Sequence, residues 1–432
     1  MQLNTSSSRS SGRSSSRRRS ISSILNSARF DTFSLGVTGI DNRQAVIIEI
    51  GTILTKVGYA GEFVPRAIIR SEYIDNLGKP QKIFNESFKN SDEYHAFIKL
   101  FEIIFYKILL TVAKERRIVI VESVLEPTYR RDLIAKILFE IFDAPSILFA
   151  PSHLLATFPF GCSNALVIDV GYREALILPI IEGVTVLNNW ESSAIGSKRV
   201  EERVRELLFK YGKIITSSGE EREISVADEF LLGKYRLFED IVTRFCFVTT
   251  MERGKQIQKS GYNTSENIPK PPCEVRLPFG NEMIVVPGIV REWSAEVIFE
   301  HNDDIRSLPQ LILDCVFRCP IDCRRNLLNG LILVGGSTCM KGFYARLQSE
   351  LLELMTSNPY SSKLGSIKSV KFFLLPNTRI ELYGNWLGGS MFGSLEILQY
   401  RSFSREEWLT SKTVPDWISR SYEISQNPGK ER

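Results

Sequence analysis

Short apolar runs alternate with amphipathic segments through most of the chain. The apolar runs are rich in Val and Ile, which is typical of buried strands; they are residues 45–50, 117–123, 164–170 and 329–336. Residues 128–143 and 197–212 have apolar side chains at helical spacing and predict amphipathic helices. Residues 273–286 predict a hairpin that turns at Gly280 and Asn281. This alternation predicts an α/β fold with mixed sheets.

Two predicted hairpins share one arrangement of a carboxylate and a glycine. Glu49 lies at the end of a predicted strand, and Gly51 follows after one intervening residue. Asp169 and Gly171 repeat this spacing. Because glycine lets backbone amides approach an anion closely, each turn could hold a phosphate. Any tight hairpin uses glycine, so one such turn alone is weak support. Two of them, about 120 residues apart, predict duplicated lobes that face each other across a cleft.

Other residues extend this candidate phosphate site. Lys56 could reach back to a phosphate, and the two carboxylates could orient a hydrated Mg²⁺ ion, with Asp169 as the predicted metal contact through a bound water. A third loop, residues 335–338, begins with two glycines, follows a predicted strand and precedes a predicted helix. That context suits a nucleotide at the N-terminus of a helix.

The net charge of +4 originates in the N-terminal segment. Residues 1–30 contain six Arg and no acidic residue, so the remainder carries 48 basic against 50 acidic residues and does not indicate a nucleic-acid surface. Residues 1–40 are predicted to be a disordered Ser- and Arg-rich tail, because they offer little apolar surface to bury. A kinase substrate and a mitochondrial transit peptide are alternative interpretations of the tail.

The seven cysteines indicate a reducing compartment, since their number is odd and no secretory signal is evident. Cys315, Cys319 and Cys323 recur every four residues and would share one face of a helix. We interpret them as small core residues, because a metal site would need a fourth ligand and tighter spacing. Residues 100–113 are the most apolar stretch, but they are too short to span a membrane and predict a mostly buried helix.

Several segments resemble, in order, the family of actin and the actin-related proteins. They are TKVGYAGEFVPRA (55–67), APSILFAPSHLLA (144–156), LVIDVGYREALILPIIEG (166–183), RLPFGN (276–281), ILVGGSTCMKGF (332–343) and GNWLGGSMFGSL (384–395). The resemblance extends from about residue 45 to the C-terminus. Within the family the chain is most similar to the class numbered ten or eleven, at the pointed end of dynactin, in residues 119–127, 168–174, 319–327 and 414–417.

The resemblance implies an actin-like two-lobed α/β fold, with duplicated mixed sheets flanked by helices around a central nucleotide cleft. Lobe I would comprise residues 41–168 and 361–432, and lobe II residues 169–360. The interval 67–121 is shorter than its counterpart in actin. This implies a reduced outer subdomain and the loss of the loop that grips the next protomer.

The resemblance also implies a nucleotide site, carried over position by position to Glu49, Gly51, Thr52, Lys56, Asp169, Gly171, Gly335, Gly336 and Ser337. Glu49 and Ile53 replace an Asp and a Gly of actin, and Tyr172 with Arg173 replaces an Asp-Gly pair. A Lys-Glu pair that contacts the nucleoside in actin is replaced by Val242 and Thr243. ATP or ADP with Mg²⁺ is the implied cofactor, and these departures predict a weakly filled or empty cleft.

No catalytic residue is predicted. Actin uses a Gln to orient the attacking water and a His in the second hairpin, and the matching positions are Ser152 and Leu176. Leu cannot relay a proton, and Ser is too short to replace Gln. His153 is adjacent, but neighbouring side chains point in different directions. We therefore expect hydrolysis to be absent; Arg173 either adds charge toward a phosphate or is a solvated surface residue.

The resemblance implies a non-catalytic dynactin subunit that caps the pointed end of the actin-like filament, in the cytoplasm and cytoskeleton. It would bind filament subunits, anchor other pointed-end subunits, and support dynein-driven microtubule transport and nuclear migration. Apolar candidates for the anchoring surface are Tyr73, Ile74, Ile83 and Phe84, each of which could equally be core. No nucleic-acid partner or membrane span is expected.

Two alternatives from other classes remain. A divergent actin-superfamily ATPase or sugar kinase would share the fold, although a kinase needs an Asp base and none is evident. A chromatin-associated nuclear actin-related protein is favoured by the basic tail. It is disfavoured by the absence of the large insertions that many such proteins carry.

Deletion of residues 1–30 is predicted to leave the melting temperature unchanged, because this segment has almost no apolar surface to bury. Thermal denaturation of the full-length and truncated proteins measures the difference. A loss of more than about 1 kcal/mol would show that the tail packs against the body.

Overall fold

The chain forms strands where the apolar runs predict them. The computed structural model describes residues 43–75, 77–85, 90–264, 270–300, 306–375 and 378–415, so the predictions on residues 1–40 lie outside the described residues. The strands are β1 Val46–Ile50, β2 Leu54–Tyr59, β3 Ala67–Arg70, β4 Glu72–Ile74, β5 Pro80–Lys82, β6 Ile118–Glu122, β7 Ser146–Pro151, β8 Ala165–Val170, β9 Ala175–Ile181, β10 Val184–Thr185, β11 Glu191–Ser193, β12 Lys213–Ile215, β13 Glu221–Glu223, β14 Val275–Phe279, β15 Glu282–Val286, β16 Leu331–Val334 and β17 Phe403–Ser404.

Helices separate these strands. They are α1 Asn90–Glu102, α2 Thr128–Glu140, α3 Ser152–Leu155, α4 Ser197–Tyr211, α5 Val226–Lys234, α6 Leu237–Arg244, α7 Met251–Lys259, α8 Gly288–Trp293, α9 Leu308–Arg318, α10 Ile321–Leu328, α11 Phe343–Leu354, α12 Ser361–Leu364, α13 Ile380–Gly393, α14 Leu398–Arg401 and α15 Arg405–Ser411. Within the described ranges, none is both long enough and apolar enough to cross a membrane.

Two mixed sheets repeat one arrangement of strands. In the six-stranded sheet, β17-β7-β6-β1-β2-β3, β1 and β2 form an antiparallel hairpin and β6 lies parallel to β1. In the second sheet, β10-β9-β8-β16 with β11 against β9, β8 and β9 form the hairpin and β16 lies parallel to β8. This repetition confirms the predicted α/β class with mixed sheets. We use lobe I and lobe II for the halves built on the first and second sheet.

Each lobe also carries a smaller sheet. Lobe I has the two-stranded ladder of β4 and β5, and lobe II has the four-stranded sheet β13-β12-β15-β14. The central strands are apolar because they are covered on both faces: Val46, Ile47 and Ile48 of β1 and Leu166 and Val167 of β8 are fully buried. The residue boundaries predicted for the two lobes remain a prediction.

The shortened interval 67–121 folds into β3, the β4–β5 ladder and α1 before it reaches β6. Ile83 is fully buried in the core of lobe I, so its prediction as a surface candidate is wrong. Tyr73 and Phe84 are half-buried and pack against the same core. Ile74 is 60% exposed and is the candidate that lies on the surface.

Two predicted helices have different ends in the structure. α1 stops at Glu102, and a π-helical turn at Ile103–Ile108 follows it, so residues 100–113 are not one helix. The prediction that three cysteines share a helix is also wrong, because α9 ends before Cys319 and Cys323 lies on α10. Pro320, which cannot continue the helix, causes the break. Cys319 is nevertheless buried, as a small core residue should be.

Helix α13 lies unusually close to the elements beneath it. A Cβ on Gly388 would overlap the carbonyl oxygen of Leu155 at the end of α3, and a Cβ on Gly389 would lie 2.6 Å from Val121. Only glycine allows such contact between backbones. The same helix contributes Trp386, whose indole N–H donates a 3.2 Å hydrogen bond to the carbonyl oxygen of Ile47. At its start the helix also approaches lobe II, because the Cβ position of Gly384 lies 3.5 Å from Val334 of β16, so α13 contacts both lobes.

The core of lobe II contains a completely buried ion pair. The guanidinium of Arg346 on α11 donates hydrogen bonds of 2.9 Å to both carboxylate oxygens of Glu296, and neither side chain is exposed to solvent. Arg346 also contacts Glu350 at 2.8 Å and the carbonyl oxygen of Thr249 at 3.1 Å. These hydrogen bonds offset much of the free-energy cost of removing two charges from water.

Arg346→Met is predicted to lower the free energy of unfolding by about 3–5 kcal/mol, because it leaves the buried Glu296 carboxylate without its charge partner. Chemical denaturation measures this loss. Arg276→Met is the matched control: this Arg is 60% exposed in its ion pair, so its replacement should change stability by less than about 1 kcal/mol. Equal effects of the two substitutions would contradict the assignment.

Candidate functional site

The hairpin turn of lobe II and the third glycine loop meet. Gly335 has a φ of +95°, and a Cβ there would overlap the carbonyl oxygen of Val170 and lie 2.7 Å from Asp169 Oδ1. Glycine is therefore required by both the backbone conformation and the close approach. Ser337 Oγ donates a 3.0 Å hydrogen bond to the carbonyl oxygen of Gly171. These contacts fix the third loop against the turn that follows β8.

In lobe I, Glu49 and Lys56 are direct cross-strand partners in the β1–β2 hairpin. Lys56 Nζ lies 2.6 Å from Glu49 Oε1, and the two side chains are only 12% and 13% exposed. Burial raises the pKa of Glu49, the Lys56 charge lowers it, and the Asp169 carboxylate raises it further. Lys56, which is predicted to reach a phosphate, is therefore already bound to a carboxylate.

One carboxylate from each lobe lies at the bottom of the cleft, together with two other polar side chains. We call Glu49, His153, Asp169 and Asn385 the cleft floor. Asn385 on α13 donates from Nδ2 to Asp169 Oδ2 across 3.4 Å. Glu49 Oε2, His153 Nε2 and Asn385 Oδ1 are buried, and within the described part of the chain they have no hydrogen-bond partner. Buried polar atoms are normally satisfied, so these three indicate a position for a ligand or water.

For His153, the prediction that its side chain points in a different direction from that of Ser152 stays a prediction. Its side chain is buried, and Ser152 Oγ lies 3.1 Å from its Nδ1. Burial lowers the pKa of His153, while the charge of Asp169 opposes that shift, so the imidazole lies near this carboxylate. Helix α3 begins at Ser152. Consecutive side chains are therefore about 100° apart, as the helical alternative of the prediction requires.

The backbone amides of the two hairpin glycines are used within their own turns. Gly51 N–H donates to the carbonyl oxygen of Leu54, and Gly171 N–H donates to that of Glu174, each at 3.0 Å. These two N–H groups are therefore used inside the protein, while the prediction that the turns hold a phosphate on their backbone amides stays a prediction. Gly336 differs, because no atom beyond its chain neighbours lies within 4 Å of its Cβ position. It borders open space in the cleft.

The third loop precedes a helix, as the sequence predicts, with a short connection between them. A 3₁₀ turn at Gly336–Cys339 comes first, and α11 begins after Gly342, whose φ is +85°. A nucleotide phosphate near Gly336 would therefore lie by the 3₁₀ turn instead of the N-terminus of α11. Thr52, the remaining predicted contact, is half-buried in the turn that follows β1.

The positions that depart from actin have local roles in this structure. Val242 is buried in the lobe II core, and Thr243 Oγ1 donates a 2.9 Å hydrogen bond to the carbonyl oxygen of Glu239 on its own helix. Leu176 is buried and pairs directly with Asp169 across β8 and β9. Arg173 is exposed. Val242 and Leu176 are apolar and the Thr243 hydroxyl bonds within its own helix, so these three provide no polar group toward the cleft floor.

Tyr172 connects the lobe II turn to helix α4. Its hydroxyl donates a 3.2 Å hydrogen bond to Glu201 Oε2. Burial is the largest cause that raises the pKa of Glu201 to about 7. The charges that act on this carboxyl come from both lobes and are those of Glu239, Lys82 and Glu202. Glu201 therefore titrates near neutral pH beside the cleft.

The cleft floor fits a hydrated Mg²⁺ ion better than a bare phosphate. Two carboxylates near one site repel an anion, and their oxygens with that of Asn385 are donors that Mg²⁺ prefers. No group of three His, Cys, Asp or Glu among the described residues could hold a metal ion by itself. Mg²⁺ commonly keeps several waters and one or two carboxylates, with phosphate completing the set. The residues present therefore fit the metal and phosphate end of an Mg-nucleotide, whereas Val242 and Thr243 provide no matching pair for the nucleoside.

Sequence reasoning missed Asn385 and Glu201 as parts of the site. The signal for Asn385 is its position beside Trp386 in a glycine-rich segment, since those glycines allow the close approach of α13. Glu201 has no comparable signal, because acidic residues are common on the exposed face of an amphipathic helix.

Comparison with known proteins identifies the family. The actin family profile matches residues 40–418, so the chain belongs to the actin family. It is 26% identical over 445 residues to Actin-related protein 10 of Dictyostelium discoideum, covering 88% of this chain and 90% of that protein. It is 27% identical over 401 residues to Putative actin-29 of the same organism, with 85% and 94% covered. Identity to Actin-related protein 4 of Arabidopsis thaliana is 22% over 441 residues, with 86% and 97% covered.

This membership confirms the predicted resemblance and the predicted actin-like fold. Folds of this family generally bind a nucleotide with Mg²⁺. In this chain the duplicated hairpins contribute one carboxylate each, Glu49 and Asp169, from the two sheets.

Glu201→Gln is predicted to make stability less dependent on pH. The folded-state pKa of about 7 lies above that of an unfolded Glu, about 4.3, so folding favours the protonated carboxyl. The wild type should therefore lose about 1–2 kcal/mol relative to the variant as pH rises from 4.5 to 8, less than a fully buried group would lose. Denaturation at a series of pH values measures this difference.

Glu206→Gln is the matched control, because this residue on the same helix is 67% exposed and is not among the charges that act on Glu201, so its replacement should leave the pH profile parallel to that of the wild type. A Glu201→Gln profile that is also parallel to the wild type would show that Glu201 is ionised in the folded state at ordinary pH.

Proposed function

We propose that this chain is a non-catalytic actin-related subunit of dynactin that caps the pointed end of an actin-like filament. The observation that carries the proposal is the small outer part of lobe I, which consists of a short ladder and one helix, as the resemblance to actin implies for a reduced subdomain. A head-to-tail filament needs two complementary faces on every subunit. A subunit that keeps one face and lacks the other can join an end but cannot extend it.

Family membership and similarity to Actin-related protein 10 support this role. The face retained for the filament includes α2 and the segment from α13 to α15. Tyr129 on α2 and Tyr400 on α14 are 52% and 68% exposed there. Such aromatic side chains are common anchors at protein interfaces. On this proposal the chain functions in the cytoplasm, with the cytoskeleton.

The reduced outer part of lobe I is the proposed surface for other pointed-end subunits. Ile74 and Leu77 near the tip of the β4–β5 ladder are 60% and 81% exposed. The turn that presents them is fixed from inside, because Asp75 Oδ1 accepts 2.9 and 2.8 Å hydrogen bonds from the backbone amides of Leu77 and Lys79. Exposed apolar side chains near such a tip are suited to insertion into a partner's pocket. Anchoring those subunits would in turn support dynein-driven transport and nuclear migration.

The cofactor on this proposal is ATP or ADP with Mg²⁺, held without turnover. Glu49 and Asp169 would orient the hydrated ion, and Gly336 would border the phosphates. When bound, the Mg²⁺ ion would attract the carboxylates of both lobes and so hold the lobes together at the cleft floor. Ser152 and Leu176 lack the groups needed to orient and deprotonate a water, which supports binding without hydrolysis.

A second candidate function, slow ATP hydrolysis, is favoured by one observation. His153 is buried near Asp169 with its Nε2 unpartnered within the described residues, and its lowered pKa keeps the ring neutral. A neutral imidazole is a competent general base when it lies within reach of a water. The proposed capping role would survive this activity, whereas the proposed lack of catalysis would not.

Variants on the two faces test the capping proposal. Lys136→Glu with Tyr400→Asp should reduce incorporation into the filament by at least about tenfold, since both residues are exposed on the retained face. Ile74→Asp with Leu77→Asp should leave incorporation intact and lose the pointed-end partners. Co-purification of tagged variants from cells, with quantification of filament and partner subunits, measures both results.

Lys259→Glu, an exposed change on lobe II, is the control and should retain both sets of partners. If the Ile74 and Leu77 variant is the one that fails to join the filament, the filament binds the outer part of lobe I, and the proposed orientation of the subunit is reversed. The capping proposal fails if the wild-type protein adds subunits at both ends.

A further inference from the structure

Two ion pairs connect the lobes directly, away from the cleft floor. Arg70 at the end of β3 lies against Glu239 on α6, with distances of 2.9 Å from NH1 to Oε2 and 2.7 Å from NH2 to Oε1. Glu72 on β4 accepts a 2.6 Å hydrogen bond from Arg236. Each pair joins residues more than 160 positions apart in the sequence. Their partners belong to the outer parts of lobe I and lobe II.

The two pairs have opposite polarity, which makes the contact specific. Lobe I provides a cation at Arg70 and an anion at Glu72, and lobe II provides an anion at Glu239 and a cation at Arg236. Sliding one edge past the other would bring like charges together. Such repulsion excludes alternative registers. The arrangement therefore favours one closed position of the lobes.

The geometry is stronger than that of an ordinary surface pair. The Arg70 and Glu239 contact is bidentate, which is the favoured arrangement for a guanidinium and a carboxylate. The carboxylates are partly shielded from water, since Glu72 is 16% and Glu239 is 27% exposed. The hydrogen bond to Glu239 is the largest cause that raises the pKa of Arg70. Partial shielding reduces the screening that makes exposed pairs weak.

The backbone also holds one partner in place. Arg236 precedes α6 with a φ of +54°, a conformation that residues other than glycine seldom adopt. Its carbonyl oxygen accepts a 3.0 Å hydrogen bond from the amide of Asp240 in the first turn of α6. This conformation fixes the start of the helix from which both Arg236 and Glu239 reach lobe I.

We propose that these two ion pairs form a clasp that holds the lobes closed without a nucleotide and must open before a ligand enters or leaves the cleft. The clasp consists of Arg70, Glu72, Arg236 and Glu239. Because its four charged side chains all belong to the protein, the lobes can stay closed without the charge of a bound phosphate. The inference concerns the isolated chain, and its failure would leave the capping proposal unaffected.

Hydrogen exchange on the purified full-length protein, in the absence of nucleotide, tests the clasp. The probes are the amides of residues 51–53 and 171–174, in the two turns beside the cleft. Arg70→Met and Glu239→Gln should each accelerate exchange there by roughly fivefold, the size expected for loss of one well-formed pair. High salt should accelerate the wild type toward the rate of the variants, because screening weakens ion pairs.

A double-mutant cycle separates the clasp from independent local effects. If the two residues act as one pair, the probe amides of the double variant Arg70→Met with Glu239→Gln should exchange at about the same rate as those of either single variant. Adding Glu72→Gln to Arg70→Met should instead multiply the effects, because the second pair is then also lost. Arg205→Met is the control: its ion pair with Glu229 is similarly exposed but lies within lobe II, so exchange at the probe amides should match the wild type.

Thermal denaturation of each variant accompanies the exchange measurement, and unchanged melting assigns faster exchange to opening of the cleft. Wild-type exchange rates in the Arg70→Met and Glu239→Gln variants would overturn the proposal. So would effects that multiply in the Arg70 and Glu239 double variant, since the two residues would then act independently.

Discussion

The candidate site depends on the close approach of helix α13 to the backbone of the elements beneath it. Gly388 leaves no room for a Cβ against the carbonyl oxygen of Leu155, and the next glycine along the helix packs against β6 in the same way. This contact brings Asn385 within 3.4 Å of Asp169, and the backbone of Trp386 on the same helix opposes part of the rise that burial causes in the pKa of Glu49. One helix thus reaches both carboxylates of the cleft floor, one from each lobe.

The electrostatics of the floor follow from that convergence. Glu49 and Asp169 lie on different sheets, yet each belongs to the first strand of a hairpin whose turn faces the cleft. Lys56 compensates part of the charge of Glu49, while Glu49 Oε2 and Asn385 Oδ1 remain without a protein partner among the described residues. A divalent cation with its water shell would satisfy such a set, and a phosphate would follow the cation. The site is therefore suited to hold a charged group between the lobes.

The pattern of the sequence predicts much of the fold because its signals are local. Buried strands such as β1 and β8 are recognisable from runs of Val and Ile, and the repeated carboxylate and glycine spacing predicts that two hairpins face each other. Failures occur where a non-local or backbone effect decides the outcome. Pro320 divides the predicted cysteine helix, and the predicted helix over residues 100–113 becomes a π-helical turn after Glu102. The ion pairs across the cleft could not be predicted, because nothing in the sequence relates positions that far apart.

The central claim is that the cleft serves the shape of the subunit and does not consume a nucleotide. The most direct test is a single-turnover experiment with excess protein, Mg²⁺ and ATP labelled at the γ-phosphate, quenched at intervals over several hours. The account predicts that the label is recovered as intact ATP at every time, as in a protein-free control. Conversion to ADP and phosphate that is lost in Glu49→Gln and Asp169→Asn, and slowed in His153→Ala, would contradict it and identify the chain as an ATPase.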